Sequence, residues 1–159
     1  MNLLTGIEST ELFGGEVSPA VQRLIEGLRG APGERIVAVL WSITLTAPQS
    51  LAAYYLLYKF HAGRRELDEA QHAAYLGLKA AARAAALDED WQAVQPGDAN
   101  FTTPGPARFW LFTLKALAFI SLRRGEREVA VALIAQMRRL DPVDQLGFGV
   151  VEGLLQQSA

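Results

Sequence analysis

The apolar residues of this chain recur at three- and four-residue spacing, which is the period of amphipathic helices. One such helical face, which follows Ser50, consists of Tyr54, Leu57, Tyr58 and His61. Prolines and glycines separate the periodic stretches from one another and act as helix start and stop signals. The pattern predicts an all-α protein.

The boundaries of the predicted helices follow from these signals. Ser18 provides a capping hydroxyl, and a proline such as Pro19 suits the first position of a helix. The first helix is therefore predicted from Pro19 to Arg29, since Gly30 then stops it. The other predicted helices cover about residues 34–46, 51–62, 67–88, 107–124, 126–140 and 143–157.

The segment from Ile36 to Thr46 leaves an alternative open, because its β-branched residues would also suit a buried strand. Its length and the lack of another strand candidate favour a helix. A longer stretch, from Ile36 to Tyr58, contains no charged residue and approaches the ~20 residues of a membrane span. Pro48 and several polar residues interrupt its middle, so no membrane partner is expected.

Residues 92–106 form the one long connection that the sequence predicts. They contain three prolines and two glycines, so a helix cannot continue through them. Phe101 lies within this segment. Loops of more than about 12 residues are usually functional or disordered. A lid over a binding groove and a disordered connection are therefore equal alternatives.

Landmark residues recur at a spacing of 34 residues, which indicates an internal helical repeat. Ile36 is matched by Ala70, and Pro48, which ends a helix pair, is matched by Ala82. A later pair ends at Pro142, after the proline-rich loop. The predicted organisation is a leader over residues 1–17 and a helical domain over 18–159, with pairs at 18–48, 50–90 and 107–142 and a capping helix at 143–157.

The last helix pair resembles the tetratricopeptide repeat (TPR) family. Leu114 and Leu117 stand at the large apolar positions of the family pattern, and Ala118 at a small-residue position. Gly125 stands at the turn, Ala130 at the close helix crossing, Ile134 at an apolar contact and Pro142 at the helix stop. Ser121 and Met137 depart from the tyrosine and alanine that are usual there. The middle pair is degenerate, because Tyr58 replaces a small residue and no proline closes the pair. The matching residues of the middle and first pairs are Tyr54, Leu57, Ala70, Leu24, Leu40 and Pro48.

The TPR resemblance implies a short superhelix of stacked antiparallel helix pairs, in which the first helix of each pair lines a concave groove. The groove residues carried over from the family are Tyr55, Lys59, Phe112, Lys115, Phe119 and Leu122. An apolar and aromatic groove of this kind suits a polypeptide segment, so the implied function is an adaptor or chaperone with no cofactor. A clamp for carboxylate tails is disfavoured, because Phe119 stands where an asparagine is expected.

Three other interpretations are compatible with the sequence. Phe112, Phe119 and Leu122 could be ordinary core contacts rather than groove residues. An apolar face could instead be covered by a homodimer. A small-ligand sensor or enzyme-accessory subunit would need a pocket closed by the 92–106 loop and lined by Tyr54, Tyr55, Tyr58 and Tyr75.

Composition narrows the possible function classes. The net charge of −2 gives no electrostatic reason to bind nucleic acid. The chain has no cysteine, which excludes disulfides and thiolate chemistry and suits a cytoplasmic location. His61 and His72 are too few for a metal site, and no nucleophile elbow or phosphate loop is present. The chain is therefore not expected to be an enzyme or to hold a metal.

Overall fold

The computed structural model describes residues 18–144, 147 and 149–157. The described residues form seven α-helices and one short 3-10 helix and contain no strand, which confirms the all-α prediction. The helices are α1 (Pro19–Glu26), α2 (Gly33–Thr46), α3 (Leu51–Gly63), α4 (Leu67–Ala85), α5 (Pro106–Arg123), α6 (Arg127–Leu140) and α7 (Gly149–Gln157), and the 3-10 helix is Trp91–Ala93.

Helix α1 begins where the capping signal predicts. The Ser18 hydroxyl accepts a hydrogen bond from the Val21 backbone N–H at 3.2 Å, and Pro19 is the first helical residue. The helix ends at Glu26, so the prediction that it reaches Arg29 is wrong by three residues. Residues 27–30 form a turn instead, and Gly30 takes a left-handed φ of 74° that ends it.

The segment from Ile36 to Thr46 lies within helix α2 and does not form a strand. Its buried side chains include Ile36, Leu40 and Ile43, which lie three or four residues apart on one face. The β-branched content therefore does not override the helical period. None of the described helices combines the length and hydrophobicity that crossing a bilayer requires.

Helix α3 is buried along most of its length. Every residue from Leu51 to Tyr58 is buried, because α3 packs against α2, α4 and α5. Helix α4 approaches α3 closely through small residues: a Cβ atom added at Gly77 would lie 2.8 Å from the Tyr54 Cβ. The alanine-rich sequence of α4 therefore serves close packing as well as helix propensity.

The most extensive helix contacts run along the chain from α3 to α4, from α4 to α5 and from α5 to α6. Helix α5 also contacts α3 and α7, so α3, α5 and α7 pack in series. Val151 and Leu155 are the buried side chains of α7. The side chain of Gln71 on α4 donates to Ser121 Oγ at 3.3 Å and to Glu126 Oε1 at 2.7 Å, which ties α4 to the turn between α5 and α6.

Helices α2, α4 and α6 bury equivalent positions, which lie 34 residues apart between α2 and α4 and 60 residues apart between α4 and α6. In the order α2, α4, α6 these positions are Ile36, Ala70 and Ala130, then Leu40, Ala74 and Ile134, then Ile43, Gly77 and Met137. Helices α2 and α6 both contain 14 residues. Their C-terminal capping residues are also alike: Ala47 has a φ of −135° and Asp141 a φ of −139°, and each is followed by a proline.

The 92–106 connection packs against the helices. Phe101 is buried, with its ring centroid 5.6 Å from that of Trp110 on α5. The Gln136 side chain on α6 donates to the carbonyl oxygens of Trp91 and Val94, both at 2.8 Å. The loop therefore packs against α5 through Phe101 and against α6 through Gln136.

Two predicted elements lie wholly or partly outside the described residues. The leader over residues 1–17 lies outside them. The capping helix over 143–157 is described from Gly149 to Gln157, where α7 runs. The division of the chain into three helix pairs and a cap stays a prediction.

Candidate binding face on helices α3 and α5

Helix α5 has one open side. Within residues 109–122, partial exposure is confined to one stripe, and the remaining side chains are buried. The stripe consists of Phe112, Lys115, Ala116, Phe119 and Leu122. These positions follow one another at three- and four-residue spacing, so they share one face of the helix. All four groove residues predicted on α5 lie on this stripe.

The two predicted residues on α3 adjoin this stripe at its Phe112 end. The ring centroid of Tyr55 lies 5.9 Å from that of Phe112, and Tyr55 is 8% exposed. The Lys59 amine donates a hydrogen bond to the Tyr55 hydroxyl at 3.3 Å and lies 5.4 Å from the ring centroid. We refer to Tyr55, Lys59, Phe112, Lys115, Phe119 and Leu122 together as the α3–α5 face.

The cations of the α3–α5 face lie beside aromatic rings or at its margin. Beyond Lys59, the guanidinium carbon of Arg123 lies 5.4 Å from the ring centroid of Phe119. The Lys115 amine lies near the start of α7, 3.6 Å from the position of a Cβ added at Gly147. The face is therefore apolar and aromatic with positive charge distributed along its length.

Phe112, Phe119 and Leu122 pack against the hydrophobic core and also keep part of their surface exposed. Each of these three side chains can therefore contact the core and a bound partner at the same time. A partly exposed apolar stripe can bury further area against a partner while the rest of each side chain supports the core.

The four tyrosines of the alternative ligand pocket occupy different environments. Tyr54 lines a cavity beside α4, and Tyr55 belongs to the α3–α5 face. Tyr58 is fully buried, and its hydroxyl lies 3.4 Å from the Thr113 hydroxyl. Tyr75 is half-buried on α4. No residue of the 92–106 loop lines the cavity beside Tyr54.

Burial perturbs the ionisation of these tyrosines. Desolvation raises the pKa of Tyr58 strongly, although its hydrogen bond with Thr113 opposes the rise. Desolvation also raises the pKa of Tyr75, and the nearby Glu126 carboxylate adds to this effect. Both phenols therefore stay neutral near pH 7 and act as packing and hydrogen-bonding groups.

The two histidines have structural surroundings. His61 is buried, and its Nδ1 lies 3.2 Å from Glu66 Oε1. The His72 ring stacks on Trp41 at a centroid distance of 5.6 Å. Across the described ranges, no cluster of three or more metal-ligating side chains is found.

The sequence reasoning missed two features. Gln136 is buried and fixes the 92–106 loop, but a single glutamine beside an apolar stripe carries little signal in a sequence. The second feature is the cavity beside Tyr54, which is lined by residues of the α2–α3 turn and by Lys79 and Arg83 of α4. Its lining depends on how the turn packs beside α4, which the sequence pattern does not specify.

Comparison of the chain with family models, with curated proteins and with solved structures gives no significant match.

Proposed function

We propose that this protein is a TPR-like adaptor or chaperone that holds a polypeptide segment against the α3–α5 face. In this proposal it acts in the cytoplasm, has no catalytic activity, and needs neither a cofactor nor nucleic acid. The proposal has an architectural part and a chemical part, and each has its own support.

The architectural part is that the helix pairs stack as a short superhelix. Its support is the packing of α3 against α5, which is the contact expected between the first helices of successive pairs, and the packing of the predicted capping helix α7 against α5. The equivalent buried positions of α2, α4 and α6 give the second helices the same periodicity. In a stack of this kind the first helices line one common surface, where binding residues are concentrated.

The chemical part rests on one observation, the open stripe of α5. Helix α5 is enclosed by α3, α4, α6 and α7, and yet Phe112, Phe119 and Leu122 keep exposed surface on one side. Large apolar residues that remain in reach of solvent in a row are typical of binding sites. An amphipathic helix or an extended apolar segment would cover such a row.

The charges of the face indicate what the bound segment should contain. Lys59 and Arg123 lie beside rings of the aromatic row, so acidic residues beside the apolar anchors of the partner would be favoured. Burial of apolar area would contribute about 25 cal/mol per Å², less the cost of ordering the bound segment. The expected partner is an amphipathic segment with apolar and acidic side chains.

The test is capture of a polypeptide by the purified protein and by a variant that carries Phe119→Ala and Lys115→Gln together. We expect the double variant to lose capture while its far-UV circular dichroism stays that of the parent, since both side chains are only partly buried. The matched control carries Leu45→Ala and Arg35→Gln, two exposed positions on α2. Equal capture by the parent and the face variant would refute the proposed site.

A further inference from the structure

A cavity of about 510 Å³ lies between the α2–α3 turn and the outer side of α4. Its volume is within the usual range of about 300–1,000 Å³ for small-molecule sites. Leu76, Ala80 and Ala84 line it from α4 at four-residue spacing, so they form one apolar wall. Pro48 adds an apolar surface from the turn.

Tyr54 forms the part of the cavity that comes from α3. Its hydroxyl donates a hydrogen bond to the Pro48 carbonyl oxygen at 2.9 Å, which fixes the turn against the helix. Because the single phenolic proton is used there, the tyrosine offers the cavity its ring and an oxygen that can only accept. The cavity wall is thus held in place by a hydrogen bond within the protein.

The charged groups of the cavity are two cations, Lys79 and Arg83, one helical turn apart on α4. Arg83 Nε lies 3.2 Å from Glu89 Oε1, and both side chains are largely exposed, so the pair is weakly coupled. Lys79 makes no ion pair with any described residue. The cavity therefore keeps an excess of positive charge beside its apolar wall.

The positive charge of Arg83 also acts on the ionisation of Tyr54. Burial raises the pKa of Tyr54, and the positive charge of Arg83 acts against this rise. The guanidinium group is thus close enough to the cavity to influence a group inside it.

We propose that this cavity binds a small organic carboxylate with an apolar body, at a site separate from the α3–α5 face. The carboxylate lies between Lys79 and Arg83, where the guanidinium N–H groups not directed at Glu89 can donate to it. The apolar body covers Leu76, Ala80, Ala84 and the Tyr54 ring. Inorganic phosphate would satisfy the cations but leave this wall uncovered, so an apolar carboxylate binds more tightly than phosphate.

The first test is an NMR titration of the full chain with 4-phenylbutyrate, followed through backbone amide shifts. We expect shifts centred on Gln49, Leu76 and Ala80, with a Kd of about 1 mM, the value expected of a ligand of this size. Uncharged 4-phenylbutyramide should bind at least about fivefold more weakly, and inorganic phosphate should not reach the affinity of 4-phenylbutyrate. The absence of shifts at these amides at about 10 mM 4-phenylbutyrate, where a site of that affinity is about nine-tenths occupied, overturns the proposal.

The second test uses charge variants. Lys79→Gln combined with Arg83→Gln should weaken 4-phenylbutyrate binding about tenfold. Glu89→Gln removes the competing carboxylate and should tighten binding two- to threefold, by roughly half a kcal/mol. Arg35→Gln, at an exposed position of α2 that does not line the cavity, should leave the Kd unchanged. Equal affinities for the parent, the double variant and Glu89→Gln overturn the carboxylate assignment. These results do not depend on polypeptide capture, so they separate this site from the proposed function.

Discussion

Arg65 has a backbone conformation that glycine adopts more easily. It lies in the α3–α4 turn with a φ of 61°, in the left-handed region. The α5–α6 turn has the same hydrogen bonding, with Gly125 at a φ of 79°. In each turn the N–H of the next residue donates at 2.9 Å, Glu66 to His61 O and Glu126 to Ser121 O. The two turns differ mainly in which residue takes the strained position.

Arg65→Gly should therefore stabilise the protein. Relief of the left-handed strain is worth about 1–2 kcal/mol, and the greater freedom of glycine in the unfolded chain offsets part of it. We expect a net gain of about 0.5–1 kcal/mol in the free energy of unfolding, measured by urea denaturation. Gly125→Ala is the matched control and should lower stability by a similar amount. A loss of stability in Arg65→Gly would contradict the equivalence of the two turns.

Tyr58 should make the stability of the protein depend on pH in the alkaline range. Its pKa is raised in the folded state, chiefly by burial, whereas in the unfolded chain it is about 10. Below that value both states bind the proton and there is no pH dependence. Above it the unfolded chain loses the proton first, so the free energy of unfolding falls by at most about 1.4 kcal/mol per pH unit.

The measurement compares urea denaturation of the parent and Tyr58→Phe between pH 9 and pH 11. The variant loses the 3.4 Å contact with Thr113, which should cost about 0.5–1.5 kcal/mol at pH 9. Its stability should then fall less steeply than that of the parent as the pH rises. Parallel pH profiles would show that Tyr58 ionises equally in both states.

At the scale of elements, the 92–106 loop depends on one buried amide. Gln136 uses both amide protons on the Trp91 and Val94 carbonyl oxygens, and its own oxygen accepts from Arg139 at 2.8 Å. Phe101 anchors the other part of the loop against Trp110. The loop is therefore joined to both α5 and α6.

Gln136→Leu should release the first part of this loop. Two carbonyl oxygens would lose their donor, which should cost about 2–3 kcal/mol in the free energy of unfolding. Hydrogen exchange of the amides of residues 92–98 should accelerate more than that of α4. Gln95→Ala is the control, because it removes only exposed contacts, one with Arg139 and one with the Ala93 carbonyl oxygen, and should cost less than about 0.5 kcal/mol. Equal effects of the two variants would contradict the role of Gln136.

The sequence predicts the helices well because period and capping signals are local. Helix α2 forms despite its β-branched residues, and α1 begins at its Ser18 cap. The positions at which helices end are harder to predict from the sequence. The pattern predicts that α4 reaches about residue 88, but the helix ends at Ala85, because Ala86 takes a left-handed φ of 56°. The Leu87 N–H then bonds Ala82 O at 2.8 Å, a termination usually marked by glycine.

At the scale of the whole molecule, the sequence predicts part of the candidate site. Phe112, Lys115, Phe119 and Leu122 could be placed on one face from helical spacing alone. Their partial exposure depends on how α3, α4, α6 and α7 surround α5, which spacing does not give. The cavity beside Lys79 was not predictable, because it needs the α2–α3 turn to pack beside α4.

Two exposed apolar side chains, Leu45 and Val131, lie on helices that do not contribute to the α3–α5 face. Leu45 and Val131 are 83% and 46% exposed, and each lies on the second helix of its predicted pair. In the proposed arrangement these helices do not line the shared surface. Val131 is therefore a suitable reference position for binding at Phe119.

Site-specific photocrosslinking tests the central proposal most directly. The photoreactive residue p-benzoylphenylalanine would be placed at position 119 in one sample and at position 131 in another, with crosslinking in native lysate and identification by mass spectrometry. We predict that position 119 crosslinks a defined polypeptide partner through a segment with apolar and acidic residues, and that position 131 does not. Crosslinks of position 119 only to this chain itself, or the same partners from both positions, would contradict the proposal that the α3–α5 face holds a client segment.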